Sequence, residues 1–160
     1  MVTSSIDDLD GRLIGALSAS PRLGMLELSR QLRVARGTAQ ARLDKLQSRG
    51  VITGFGPDLS LQGLGYDVLA FTTLEISQGR LADVVEHLRD IPEVLEAHAT
   101  SGQGDLHCRI VARTNAHLQE VINRVLEVHG ITRTTTVIAL SEQLPYRVLP
   151  LVASASTSTP

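Results

Sequence analysis

Residues 25–48 read MLELSRQL, then RVA, then RGTAQARLDKLQS. In the first piece Leu28 and Leu32 fall on one helical face. In the last, at about 100° per residue, Ala39, Leu43 and Leu46 cluster on one side. Only Arg33, Val34 and Ala35 connect the two. Two short amphipathic helices joined by so tight a turn form the helix-turn-helix pattern. The second helix, 36–48, then has an apolar side to pack and an opposite side carrying Gly37, Thr38, Gln40, Ala41, Asp44 and Lys45.

Upstream, residues 6–18 (IDDLDGRLIGALS) place Leu9, Leu13, Ile14 and Leu17 on a helical stripe, with Asp7 and Asp8 where carboxylates cap free N–H groups. Ser18 to Gly24 reads as a loop. Downstream, Gly50 supplies a helix stop, and GVITGF (50–55) reads as one strand of a short hairpin or wing. Residues 1–56 are therefore expected to form a winged helix-turn-helix domain, and 57–67 (PDLSLQGLGYD) a linker.

Beyond residue 67 the period changes. Residues 68–76 (VLAFTTLEI) are β-rich, and 80–89 (RLADVVEHLR) are helical up to Ile91-Pro92. Residues 94–100 and 106–112 (LHCRIVA) read as strands around a GQGD turn. Residues 115–128 read as a helix with Asn115 as its cap, and 132–141 as the last strand. The order β-α-β-β-α-β is the ferredoxin-like arrangement, so the fold class is α+β, with a second domain over 68–150. Small polar residues dominate 151–160, where a disordered tail is expected.

The chain has 160 residues and a net charge of −2, which suits a DNA binder poorly until the halves are separated. Residues 1–57 carry eight basic and five acidic side chains, a net of +3; the remainder carries seven and twelve, a net of −5. Such asymmetry points to a polyanion partner for the first half alone. Aromatics make up 2% of residues, too few for a single-strand stacking platform. The one cysteine, Cys108, excludes a disulfide framework and sits in an alternating apolar run as a core residue. No apolar run approaches a membrane span, and MVTSSIDDLD lacks the hydrophobic core of a signal peptide, so no membrane association and a cytoplasmic location are expected.

On the outer face of 36–48, Gln40 can bond adenine edges and Thr38 a base or phosphate, beside Ala41. Arg36 and Lys45 suit guanine or phosphate. Taken alone, this face also suits the solvated side of a helical interaction module. Arg42 lies on the flank, where it can meet a phosphate or pair internally with Asp10 of the first helix.

The same residues resemble the Lrp/AsnC, or feast/famine, group of transcription regulators. The resemblance runs through IDDLDGRLIGAL, ELSRQL, RLDKLQSRGVITGF and LGYDV, then through PEVLEAHATSGQGDLHCRIVA and HGITRTTTVIAL, covering nearly the whole chain in order. It implies a sequence-specific DNA-binding regulator whose second domain senses a small molecule, an amino acid or a related compound, and oligomerises. A homodimer assembling to a tetramer or octamer on double-stranded DNA is the expectation. Three positions depart from the pattern. Ala35 stands where the family has a capping Ser, Arg33 where it often has Gly, and Gly37 is a poor helix former. The family favours Arg at position 42.

The turn Gly102-Gln103-Gly104-Asp105 reads on its own as a tight hairpin, its two glycines permitting positive φ and Asp105 bonding its own backbone. The Asp105 carboxylate suits either an α-ammonium group or the amides of the turn, and the resemblance implies that the turn binds an amino-acid effector between dimers. Thr134 and Thr136, on one face of the last strand, match the family's Thr-x-Thr and are implied to meet the effector's polar groups. Of the five histidines, His98 and His107 flank the turn; none has the spacing of a metal site. No cofactor, metal or nucleophile motif is evident, so no enzyme activity is expected. The competing reading is a siroheme-decarboxylase-like enzyme of the same two-domain build. The basic helix face and the GQGD turn argue against it.

Overall fold

A computed structural model describes residues 6–156. The described residues divide into two compact units, residues 6–57 with 144–156, and residues 58–143.

The first unit contains α1 (Asp8–Ala19), α2 (Met25–Leu32) and α3 (Arg36–Ser48). A reciprocal capping box starts α1: the Asp10 amide donates to Asp7 Oδ1 at 2.9 Å, and the Asp7 amide to Asp10 Oδ2 at 3.2 Å. Leu13, Leu28 and Leu46 are fully buried between the three helices, each burial contributing about 1.5–3 kcal/mol. Arg12 Nη2 donates to the Leu32 carbonyl at 2.9 Å, satisfying an end of α2 that the helix itself leaves open.

The expected wing strand at 50–55 is not formed. The Gly50 amide donates to Gln47 O (2.9 Å) and the Val51 amide to Leu46 O (2.9 Å), with Gly50 at φ 69°. This is a Schellman cap. It uses the amides that a strand would need, while Val51 and Ile52 pack on the helical core.

The expected disordered tail over 151–160 is also corrected in part. Residues 151–156 lie within a helix, Leu149–Ser156, whose Val152 and Ser156 lie against Gly11 of α1. Pro150 sits in its first turn, where a missing N–H is harmless. Small side chains let it approach a glycine closely. Residues 157–160 lie outside the described residues.

The second unit is a four-stranded antiparallel sheet of β1 (Val68–Ile76), β2 (Val94–Ala99), β3 (Leu106–Ala112) and β4 (Ile131–Ile138), in the order β2-β3-β1-β4. With α4 (Leu81–Arg89) and α5 (Asn115–Val125) it gives the βαββαβ order. The cap of α5 is Thr114, whose hydroxyl accepts from the His117 amide at 3.1 Å; Asn115 is already helical. Ala70, Leu74, Leu106, Cys108 and Ile110 form the core with Val84 and Leu88 of α4 and Leu118, Val121 and Val125 of α5. Burial pushes the Cys108 thiol up to about 11, which makes it inert. Among the described residues no helix is long and apolar enough to cross a membrane.

Candidate nucleic-acid interface and effector turn

The turn into α3 is made by backbone strain. Arg33 ends α2 at φ 57°, ψ 46°, the left-handed region, and it is the one non-glycine residue with positive φ among those described. Its amide donates to Arg30 O and the Val34 amide to Ser29 O. This reversal lets α3 start three residues later. Ala35 is the N-cap and offers no side-chain bond, so the first amides of α3 lack the partner a serine would give.

Ala39 and Leu46 of α3 are fully buried and Leu43 half-buried, while Arg36, Gly37, Thr38, Gln40, Ala41, Asp44 and Lys45 are exposed. The expected readers Arg36, Thr38, Gln40, Ala41 and Lys45 are thus all exposed. Asp44, for which residue type alone suggests no particular role, accepts a 2.8 Å hydrogen bond from Gln40 Nε2. The four-residue spacing was the signal that could have found it.

Arg42 does not join that exposed set. Its Nη1 pairs with Asp7 and, at 3.2 Å, with Asp10 Oδ1, so the internal alternative is the one realised. Asp10 is 2% exposed and needs such a partner. The Asp10 amide, then the Arg42 guanidinium, outweigh partial burial and hold the Asp7 carboxyl below its ordinary range.

In the second unit the 102–105 turn is held from several sides. Gly102 has φ 114° and Gly104 φ 82°. A Cβ on Gly104 would run into the Thr73 methyl group, so this position tolerates no side chain. Asp105 does not cap its own turn with its side chain. Its amide donates to Leu74 O at 2.8 Å, and its Oδ2 accepts from the Ile76 amide at 2.6 Å. The β1–β4 register shifts between Glu75 and Ile76, and Asp105 holds the amide at that irregularity. Thr100 closes the turn through its amide to Asp105 O and its hydroxyl to Gly104 O. Gln103 is exposed.

Thr134 and Thr136 share a face, but it is the helix-covered one. Thr136 Oγ1 lies 3.1 Å from Thr72 Oγ1, and Thr72 is fully buried. Thr134 pairs with Leu74 in the ladder, so β1 separates it from the GQGD turn. Within one chain the two threonines and the turn are not brought together. A cleft of about 410 Å³, floored by Leu69, Arg109 and Val111, is lined by neither.

Four of the five histidines have other work. His98 and His107 are cross-strand partners; His98 meets Glu96, and His107 stacks on Phe71 and meets Thr73. His98 first, then Arg109, outweigh burial and hold the Glu96 carboxyl down. His117 reaches buried Glu93 beside Arg124, and His87 the Arg124 carbonyl. Among the described residues no three metal-ligating side chains converge.

Comparison with known proteins gives two family matches: Lrp/AsnC ligand binding domain over residues 69–149, and winged helix-turn-helix DNA-binding over 6–53. The chain is 31% identical over 147 residues to the regulatory protein AsnC of Escherichia coli K12, covering 91% of this chain and 97% of that protein. It is 27% identical over 146 residues to an HTH-type transcriptional regulator of Pyrococcus furiosus. The solved structure of E. coli AsnC superposes with a TM-score of 0.85, covering 91% of this chain and 99% of that one. A feast or famine regulatory protein from M. tuberculosis, complexed with L-methionine and 23% identical, shares the fold with a TM-score of 0.79 over 89% of this chain and 97% of that one.

Proposed function

Because the chain belongs to the Lrp/AsnC family of transcription regulators, we propose that the outer face of α3 reads double-stranded DNA and that an amino acid bound at the 102–105 turn controls it. The observation that carries the first half is the division of α3. Ala39 and Leu46 are sealed inside, while Arg36, Thr38, Gln40, Ala41 and Lys45 face out from a segment of net charge +3. Arg42 is left out of the reading set because Asp7 and Asp10 hold it.

The protein works by binding and not by catalysis, in the cytoplasm, as a homodimer that assembles further to a tetramer or octamer. The sheet face away from the helices carries Phe71 and the 57%-exposed Val137, and a second copy laid on it would bury them. Leu106 and Cys108 do not serve that face; they lie in the helix-covered core. The turn and the threonines would take part in the effector site only once chains assemble. An amino acid there shifts assembly to the extent that it binds one assembly state better, and by reciprocity shifts DNA affinity.

Two experiments test this. Footprinting of sites recovered by genome-wide pull-down should show two-fold symmetric half-sites spaced by about 10 base pairs or multiples of it. On such a site Lys45→Ala should weaken binding uniformly and lower the salt slope by about 1, while Gln40→Ala should relax preference at one position. A uniform loss from both would show that the face has been sorted wrongly. Light scattering with each of the twenty amino acids tests the sensor. Asp105→Asn keeps an acceptor for the Ile76 amide but loses the charge an α-ammonium needs. It should leave effector-free DNA binding intact and abolish the response. No amino acid changing either size or DNA affinity would remove the effector assignment.

A further inference from the structure

We propose that Asp44 is a positioning residue that sets specificity: it holds the Gln40 amide by its nitrogen, so that α3 accepts adenine and rejects guanine at the base Gln40 meets. This rests on the assignment of α3 as the reading helix. Gln40 and Asp44 lie four residues apart on the exposed face, joined by the 2.8 Å bond from Gln40 Nε2 to Asp44 Oδ1.

A carboxylate only accepts hydrogen bonds, so the nitrogen end of the amide, and not the oxygen, must face Asp44. A glutamine without such a partner can turn its amide over, because the terminal torsion is broad and two-fold. It can then present N–H groups to the two acceptors of guanine as readily as a donor–acceptor pair to adenine. Asp44 removes that freedom. One N–H is used inside the pair. What remains outward is Gln40 Oε1, the second N–H, and the free carboxylate oxygen. Adenine offers an N6 amino donor and an N7 acceptor in the major groove, whereas guanine offers the acceptors N7 and O6. The pair therefore matches adenine atom for atom, and meets guanine O6 with oxygen.

Asp44 is also the single acid in Arg36–Ser48. An acid on a helix that approaches a polyanion opposes binding. It is exposed, and Gln40 is the side-chain partner the structure gives it. Neither packing nor affinity explains its place on this face; orientation of Gln40 does.

The test is selection of randomised duplexes by the full-length protein, sequenced for wild type, Gln40→Ala, Asp44→Ala, Asp44→Glu and the double variant Gln40→Ala/Asp44→Ala. Gln40→Ala should erase preference at one base position. There, Asp44→Ala should raise guanine relative to adenine by about tenfold. Asp44→Glu keeps a carboxylate within reach and should stay within about twofold of wild type. In the Gln40→Ala background, loss of Asp44 should change nothing further, because Asp44 acts through Gln40. An undiminished tenfold change in that background would mean that Asp44 repels guanine by itself, and would overturn the proposal. So would an unchanged adenine preference in Asp44→Ala when Gln40→Ala erases it. If Gln40→Ala alters no base position, the assignment of Gln40 as a reader falls together with the proposal.

Discussion

On the outer face of α3 the chemistry lies in side chains the fold does not need, whereas in the 102–105 turn the same groups that would meet a ligand also hold the sheet together. Arg36, Thr38, Gln40 and Lys45 can be exchanged without disturbing Ala39 or Leu46 behind them. Asp105 cannot be removed without freeing the Ile76 amide, nor Gly104 enlarged without striking Thr73. Mutations on the helix should therefore separate binding from stability, and mutations in the turn should confound them unless chosen with the hydrogen bonds in view.

The sharpest way to break this contrast is at the turn. Gly104→Ala adds a methyl group into Thr73 at a φ of 82°, and should destabilise the second unit by about 3 kcal/mol, from left-handed strain and overpacking together. Gly102→Ala meets only open space and should cost about 1–2 kcal/mol, from φ alone. Thermal denaturation of both variants decides. Equal losses would show that Gly104 matters for its torsion and not for the close approach.

Arg42 marks the boundary on the helical side, where a residue of the proposed reading helix does structural work. Arg42→Ala should destabilise the first unit by about 2–3 kcal/mol at neutral pH, since it leaves Asp10 buried without its cation. The effect should depend on pH. The Asp7 carboxyl titrates lower in the folded chain than in the unfolded one. A carboxylate depressed by folding contributes stability that is full above its unfolded value, about 3.9, and fades as pH falls through the folded value. The gap between wild type and variant should accordingly narrow as pH falls below about 4. Urea titrations at several pH values check this; a gap unchanged in acid would remove Asp7 from the account.

These two regions also show what could be read without a structure. The helices of the first unit are legible because Leu13, Leu28 and Leu46 each belong to an apolar stripe at helical spacing within their own helix, and the βαββαβ order because the period switches after residue 67. Periodicity says nothing about partners far apart in the chain. Arg42 looked equally able to face phosphate or Asp10, and only packing brings α1 against it. Alternation puts Thr134 and Thr136 on one face, but it cannot say which face the helices cover. The 50–55 segment has a strand's composition, yet its first amides are taken by the α3 cap. Small residues such as those of the tail signal mobility unless they pack on a glycine, as Val152 and Ser156 do on Gly11. Backbone-built features, the Schellman cap and the Asp105–Ile76 bond, carry the weakest signal in side-chain identity.

The smallest expected effects come from restoring what the turn into α3 lacks. Ala35→Ser supplies an oxygen to an open amide at the start of α3, since the N-cap already has the extended geometry a capping side chain requires, φ −62° and ψ 146°. It should stabilise the first unit by about 1 kcal/mol. Arg33→Gly removes the strain of a left-handed arginine, about 1 kcal/mol, but gives back part of that as added freedom of the unfolded chain, so a net gain of about 0.5 kcal/mol is expected. Neither residue lies among the proposed readers, so the pattern of base preference should survive both changes. Affinity should still rise if the start of α3 is ordered only on DNA, because the ordering would then be done in advance. Hydrogen exchange of the 36–39 amides, free and DNA-bound, separates the cases. A slowing in the free Ala35→Ser variant toward the bound wild-type rate, with tighter binding at unchanged preference, is the expected result. A slowing without any change in affinity would show that the reading helix is already fully formed, and that its missing cap affects stability alone.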